Sequence, residues 1–523
     1  MSLRSYAVTF LTVLGSIQVI AQTSPRPAPK GIDLAAMDRS VAPGDDFFMY
    51  ANGAWLKATS IPPDKASYGV GAVLADETRK RTVALIQEAS RSNQSEDARK
   101  IGDFYASFMD EAAIEAKGIA PLKSQLDTIA AIADRRALAR VLGGTLRADV
   151  DALNNTNLET EHLFGVWVTQ GLHDPEHSFP YLLQGGLGMP ERDYYVSDSP
   201  KMAELRKEYQ RHIAAILKLA DLPDAQARAD RVFALEKKIA SVHATRVESE
   251  DVHGATSWKK EELASKAPGL DWPAFLEAAK LNEASVFYIW QPKAVTGLSA
   301  LVANEPLETW KDWLAFHAIE DTASFLPRAF VEEYFAFHGK ALSGIPRQSE
   351  RWQRGVDFTS TALGEAVGKL YAEKYFPADV KAKVKAMAGD LKTAFGQRID
   401  SLAWMSQATK SRAKEKLATL IVGVGYPDQW QDYAALKIVK GDALGNAQRA
   451  RLFHYERQLA KLHQPVDRNE WWMTPQTVNA VNLPLQNALN FPAAILQPPF
   501  FGWGRTRPNP RPLRRPLPCS TPA

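Results

Sequence analysis

The sequence predicts a mainly α-helical fold with few short strands. Three observations carry that expectation. Apolar residues recur at helical spacing along most of the chain, β-branched and aromatic runs are sparse, and the composition is ordinary for a globular protein. Hydrophobic residues make up 45% and charged residues 24% of the 523 positions, which excludes a membrane bundle and global disorder. A chain of this length buries more than one core. Its net charge of +3 is misleading: setting aside the five arginines of the last 22 residues leaves −2. No basic surface for nucleic acid is therefore expected.

Taken in order, residues 1–21 read as a secretory signal. Arg4 supplies the positive charge, Tyr6 to Ile20 the apolar stretch, and Val19-Ile20-Ala21 a small-residue cleavage pattern. The stretch is too short and interrupted for a stable membrane span; an uncleaved amphipathic anchor is the alternative. Residues 22–32 form a Pro-rich spacer. The single cysteine, Cys519, rules out an intramolecular disulfide. Asp45 to Trp55 (DDFFMYANGAW) reads as an amphipathic segment that docks its rings, with Asn52-Gly53 as a turn.

The body is dominated by helical stripes. Ile101, Phe104, Tyr105, Phe108 and Met109 share one face; Leu205, Tyr209, Ile213, Ile216 and Leu217 form another. Val232, Leu235, Ile239 and Val242 form a third, and a long stripe runs from Val380 through Val384, Met387, Leu391 and Phe395 to Ile399. All are expected in the core. Pro377 suits the start of that last helix, because its missing N–H costs nothing there. Phe164 to Thr169 and Tyr181 to Gln184 read as paired strands. Ser285 to Trp290 and Val478 to Ala480 are weaker strand signals. Gly186 to Tyr195 (GLGMPERDYY) reads as a loop whose glycines turn and whose tyrosines pack. Gly364 to Lys369 (GEAVGK) lacks the spacing of a phosphate loop and sits in a helical pattern.

Several of these blocks, in this order, resemble the neprilysin-like zinc metallopeptidases, the group of neprilysin, endothelin-converting enzyme and bacterial oligopeptidases. They are Pro43 to Phe48 with Tyr50 to Trp55, Gly186 to Tyr195, Leu342-Ser343-Gly344 with Arg351-Trp352, Leu363 to Phe376, Trp404-Met405, Thr409-Lys410, Gly425-Tyr426-Pro427-Asp428, and Val478 to Phe501. The resemblance covers about Gly31 to Phe501. It implies a large helical cap over a thermolysin-like catalytic domain, here incomplete, and zinc-dependent endoproteolysis of peptides outside the cytoplasm. The implied divisions are residues 33–80 and 441–501 for the catalytic domain and 81–440 for the cap. Animal relatives carry several disulfides, so their absence suggests an exported bacterial type, periplasmic or extracellular.

The resemblance also implies that the strand at Val478-Asn479-Ala480 binds substrate, with Asn479 and Ala480 as contact residues. An edge strand offers unpaired N–H and C=O groups to an extended peptide, and the Asn carboxamide adds a donor and an acceptor. A solvent-facing turn is the alternative for Asn479. The family continues with two tyrosines where Val481 and Asn482 stand here, which questions the packing of that strand.

Zinc is the cofactor the resemblance implies, yet its ligands are not found. Hydrolysis needs three protein ligands, an open position and a carboxylate base, supplied in part by His-Glu-x-x-His on a helix. None of the ten histidines is followed by Glu. His173 to His177 fits the inverted pattern, but Asp174-Pro175 and the flanking strands make it a hairpin connection. Glu308 and Asp312 have the spacing of the family's third ligand but precede the substrate strand, and read as an exposed helix face. No catalytic residue and no metal ligand is assigned, and no bound metal is expected. From Gly502 onward six prolines and five arginines replace any pattern, which reads as a frameshifted or truncated end, or else as a basic polyproline ligand. The chain is thus expected to be inactive, with a secreted peptide-binding module or a nonfunctional fragment as alternatives.

Overall fold

The computed structural model describes residues 32–92, 95–154 and 158–502. The signal sequence, all of the spacer but Ile32, and the tail beyond Gly502 lie outside these residues. The chain divides into a unit ending at Thr59 and a second unit beginning at Ser60.

In the first unit Asp46 caps the helix Phe47–Ala58 by accepting from the Met49 N–H at 2.9 Å. Asn52 and Gly53 lie inside this helix and are not a turn; the Asn52 side chain bonds back to the Phe48 carbonyl at 3.0 Å. Glycine is needed at 53 because a Cβ there would come within 2.6 Å of the Asp38 Cβ. Asp38 in turn pairs with Lys57 at 2.6 Å, a hydrogen bond that holds its carboxyl down at about 2. Phe47 and Phe48 are exposed rather than docked.

The second unit is the mainly helical body the sequence predicts. The first three stripes occupy the helices Glu96–Met109, Pro200–Leu219 and Ala225–Val242, and most of their residues are buried. The long stripe is corrected. In the helix Ala378–Ser401 the first apolar turns bury Val380 and Val384, while Met387, Leu391 and Phe395 are 43%, 55% and 63% exposed. Periodicity reports an apolar face and not what covers it. Among the described residues, no helix is long and apolar enough to cross a membrane.

Among the described residues, seven strands form two sheets. The first has the order β1 (Phe164–Gln170), β2 (Ser178–Gln184), β4 (Val286–Ile289), β3 (Thr256–Lys259). β1 and β2 are the expected hairpin, with Trp167 opposite Tyr181. The weak signal at Ser285 to Trp290 finds its place as β4, parallel to β2, where Tyr181 stacks on Tyr288 at 4.7 Å. The second sheet has the order β5 (Ile421–Gly425), β7 (Ala488–Pro492), β6 (Val481–Leu483). β5 runs parallel to β7, and β6 pairs antiparallel with it.

This small sheet is tied to the helical body by packing. Val424, Ala493, Ala494 and Leu496 share a core with Leu85, Tyr371, Phe376, Val380 and Val384. The Gly425-Tyr426-Pro427-Asp428 block acts as a clamp at the end of β5: Lys381 donates to the Tyr426 carbonyl at 2.9 Å and to Asp428 at 2.7 Å. The helix Ala443–Ala460 belongs to the main core through Leu444, Ala447, Tyr455 and Leu459.

Candidate functional site

β6 lies at the outer edge of its sheet, so one of its sides faces β7 and the other has no strand partner among the described residues. Val481 and Leu483 point inward onto Met473 and Ala488, and Asn482 points out. Asn482 therefore occupies the solvent face, and the packing of β6 rests on Val481 and Leu483. The strand expected at Val478 to Ala480 begins three residues later, at Val481 opposite Asn490. Extending that register would set Asn479 against Pro492, which has no N–H to give, and the chain turns into a 3-10 helix at Ala493. Asn479 and Ala480 are exposed and immediately precede β6, and the Asn479 Oδ1 accepts from the Ala480 N–H at 2.8 Å.

The other end of β6 borders a cavity of about 370 Å³, whose wall includes Asp149, Asp151, Trp167, Lys461, Trp472 and Leu483. Its chemistry is mixed. Lys461 pairs with Glu470 at 2.7 Å, while burial pushes the carboxyls of Asp149 and Asp151 up. A larger cavity, about 660 Å³, lies away from β6 among the helices Arg135–Thr145, Leu307–Glu320 and Ala443–Ala460. Glu161, His162, His317 and Asp321 line it together with Arg147 and Arg451. The strand edge, unlike the larger cavity, offers backbone groups in strand register.

The sequence-level metal decoys resolve clearly. His173 to His177 forms the connection between β1 and β2, where the His177 Nδ1 contacts Asp174 at 3.0 Å. Glu308 is exposed, but Asp312 is not: it is fully buried and held by Arg228 at 2.5 Å and Arg231 at 2.6 Å. The exposure expected for Asp312 is thus corrected. Its two arginines come from a neighbouring helix some 80 residues away in sequence, beyond the reach of local patterning.

Two buried histidine–carboxylate clusters escaped the sequence entirely. In one, Glu236 accepts from Tyr195 at 2.6 Å, Tyr209 at 3.1 Å and His317 at 2.8 Å. Of the two tyrosines of the Gly186 to Tyr195 block, Tyr195 is buried in the core and Tyr194 packs partly against it. Burial alone would push His317 down, but the hydrogen bond to Glu236 and the charge of Glu161, 3.5 Å from the His317 Nδ1, raise it to about 9. In the other cluster Glu320 lies 3.0 Å from the His212 Nε2 and 2.6 Å from the His338 Nε2. The same balance holds: burial opposes the charge on His212, and the carboxylates of Glu320 and Glu333 outweigh it, raising the imidazole to about 9. Nothing in the local sequence marks either cluster, since the partners are tens of residues apart.

A helical body built from these blocks, with an attached small sheet presenting an edge strand, defines a peptidase-type architecture. Residues 43–427 match the family described as Peptidase family M13. The chain belongs to this family. Among curated relatives, Neprilysin-3 of Drosophila melanogaster is 27% identical over 493 residues, which is 90% of this chain and 62% of that protein. Membrane metallo-endopeptidase-like 1 of Homo sapiens is 27% identical over 90% of this chain and 63% of its own length. The chain thus spans less than two thirds of the length of these two relatives. Among solved structures, the Mycobacterium tuberculosis zinc metalloprotease ZMP1 in complex with inhibitor aligns with a TM-score of 0.83 and 36% identity, covering 91% of this chain and 71% of that one. PepO from Lactobacillus rhamnosis, 22% identical with a TM-score of 0.74 over 89% of this chain and 73% of that one, shows the shared fold.

Proposed function

We propose that this chain supplies the peptide-admitting part of an exported M13-type zinc metallopeptidase, and that it binds extended peptides along β6. One observation carries the proposal: the outer edge of β6 has no strand partner among the described residues and is preceded directly by exposed Asn479 and Ala480. A peptide laid there gains backbone hydrogen bonds of roughly 1 kcal/mol each, offset by its own ordering. Asn479 adds a carboxamide contact to the peptide backbone. In the family, zinc supplies Lewis-acid activation of water. The residues described here do not fit that centre, because no histidine is followed by Glu and no helix carries the required pair. These residues by themselves bind peptide and do not hydrolyse it.

The test has two arms. Titration of an extended, fluorescently tagged peptide should saturate, and Asn479→Ala should weaken binding about tenfold, equivalent to 1.4 kcal/mol. Incubation with zinc and a quenched peptide should release no product beyond zinc alone. Equal affinity in the Asn479→Ala variant removes the assigned contact, and chelator-sensitive cleavage overturns the claim of incompetence.

A further inference from the structure

We propose that His212, Glu320 and His338 form a structural site for one divalent transition-metal ion of the zinc type. The three come from separate elements: the helix Pro200–Leu219, the helix Leu307–Glu320 and the π-helical segment Phe335–Leu342. Their ligand atoms all lie within 4.8 Å of one another. The site differs from the helix-borne histidine pair that hydrolysis needs, because no one helix carries both imidazoles.

Four features point to an ion. The first is donor chemistry: two imidazoles and a carboxylate suit zinc or cobalt, whereas magnesium and calcium take oxygen ligands. The second is orientation. The His212 Nδ1 is held by Glu333 at 3.0 Å, which aims Nε2 at Glu320. A carboxylate behind a ligating histidine is the usual outer support of a metal ligand. The third is rigidity, since His212 stacks on Phe337 at 5.1 Å and His338 on Tyr334 at 4.3 Å. The fourth is backbone: His338 sits on a π-helix, a rare conformation that recurs at functional sites.

Without an ion, both nitrogens of His212 face carboxylates, so the ring must carry two protons. An ion takes the place of the Nε2 proton, which leaves to solvent, and the two carboxylates balance its charge. His338 ligates through Nε2 in its Nδ1–H tautomer. Glu320 contributes one oxygen 3.0 Å and the other 3.1 Å from the His212 nitrogen, so it chelates with both. Bonds of about 2.1 Å at a near-tetrahedral angle separate the two imidazole nitrogens by about 3.4 Å, so bringing them in from within 4.8 Å needs a shift on the order of 1 Å by His338. His338 has room for it, with its side chain 18% exposed, whereas His212 and Glu320 are at 1%. With both Glu320 oxygens bound, the two imidazoles and the carboxylate fill four positions, so none is left for a substrate. The ion would pin three elements together and perform no hydrolysis, so this site does not depend on the peptide-binding proposal.

The experiment uses the full chain, stripped of metal and titrated with zinc against a chromophoric chelator, then with cobalt followed by visible absorption. One zinc per chain is expected, with a rise in melting temperature and intense four-coordinate cobalt bands. His338→Ala should lower zinc affinity by at least tenfold and abolish those bands. Glu333→Gln, at a partly exposed position, should lower affinity ten- to hundredfold while leaving the ligands in place. Absence of stoichiometric binding overturns the proposal. So does equal affinity in wild type and in whichever of the two variants remains folded by circular dichroism, which would leave the cluster as an ion-pair network alone.

Discussion

Replacing Glu236 by Gln probes the best-connected carboxylate of the helical body. One of its oxygens accepts from Tyr209 and His317, and the other from Tyr195 and the Gly188 N–H. An amide cannot accept at both ends, so either orientation turns an NH₂ group toward two donors. Breaking a buried charged pair costs roughly 3–5 kcal/mol, against a total stability of about 5–15 kcal/mol. His317 gives the change a pH signature. Its folded value is raised from 6.5 to about 9. Stabilisation from its partners is therefore fully present below about pH 6.5 and disappears as pH rises through about 9. A shift of that size corresponds to roughly 3 kcal/mol, shared between Glu161 and Glu236. Denaturant unfolding of wild type and Glu236→Gln from about pH 6 to about pH 9.5 should show a stability gap that narrows with rising pH. His212 titrates in the same window, but its cluster is untouched by the substitution and cancels in the difference. A gap that stays constant across the range would refute the assigned coupling between Glu236 and His317.

Two further predictions concern packing. Gly143→Ala places a Cβ within 2.2 Å of the Phe275 carbonyl oxygen, where the helices Arg135–Thr145 and Trp272–Ala278 touch. Backbone cannot yield as a side chain does, so a cost of about 2 kcal/mol or more is expected despite a helix-propensity gain of about 1 kcal/mol; equilibrium unfolding measures it, and a stabilised variant contradicts the contact. Leu391→Glu with Phe395→Glu removes half-exposed apolar surface and no core contact. Self-association measured by light scattering should fall while the melting temperature holds, and a loss of stability would show that those side chains are packed.

How much was legible in the sequence depends on the range over which each signal acts. Helical stripes, the hairpin of β1 and β2 and the turn at His173 to His177 were legible, because period, β-branching and an Asp-Pro step act between near neighbours. The same local rules misplaced Asn52-Gly53, where a helix absorbs a turn-like dipeptide because Asp38 packs on its glycine. They set the edge strand three residues early, because Pro492 on the partner strand decides where pairing stops. They also set the whole long stripe of Ala378–Ser401 in the core, since its covering partner is not a property of the stripe.

Ordered blocks of sequence, by themselves, determined the family and the mainly helical class. Only the tertiary structure decided which charges share an interior. Asp312 meets two arginines, Glu236 meets two tyrosines and an imidazole, and His212, Glu320 and His338 converge from three elements. The physical reason is one of range. Helix and strand preferences are set within a few residues, whereas a buried charge is tolerable only once folding has brought its distant partner to hydrogen-bonding distance.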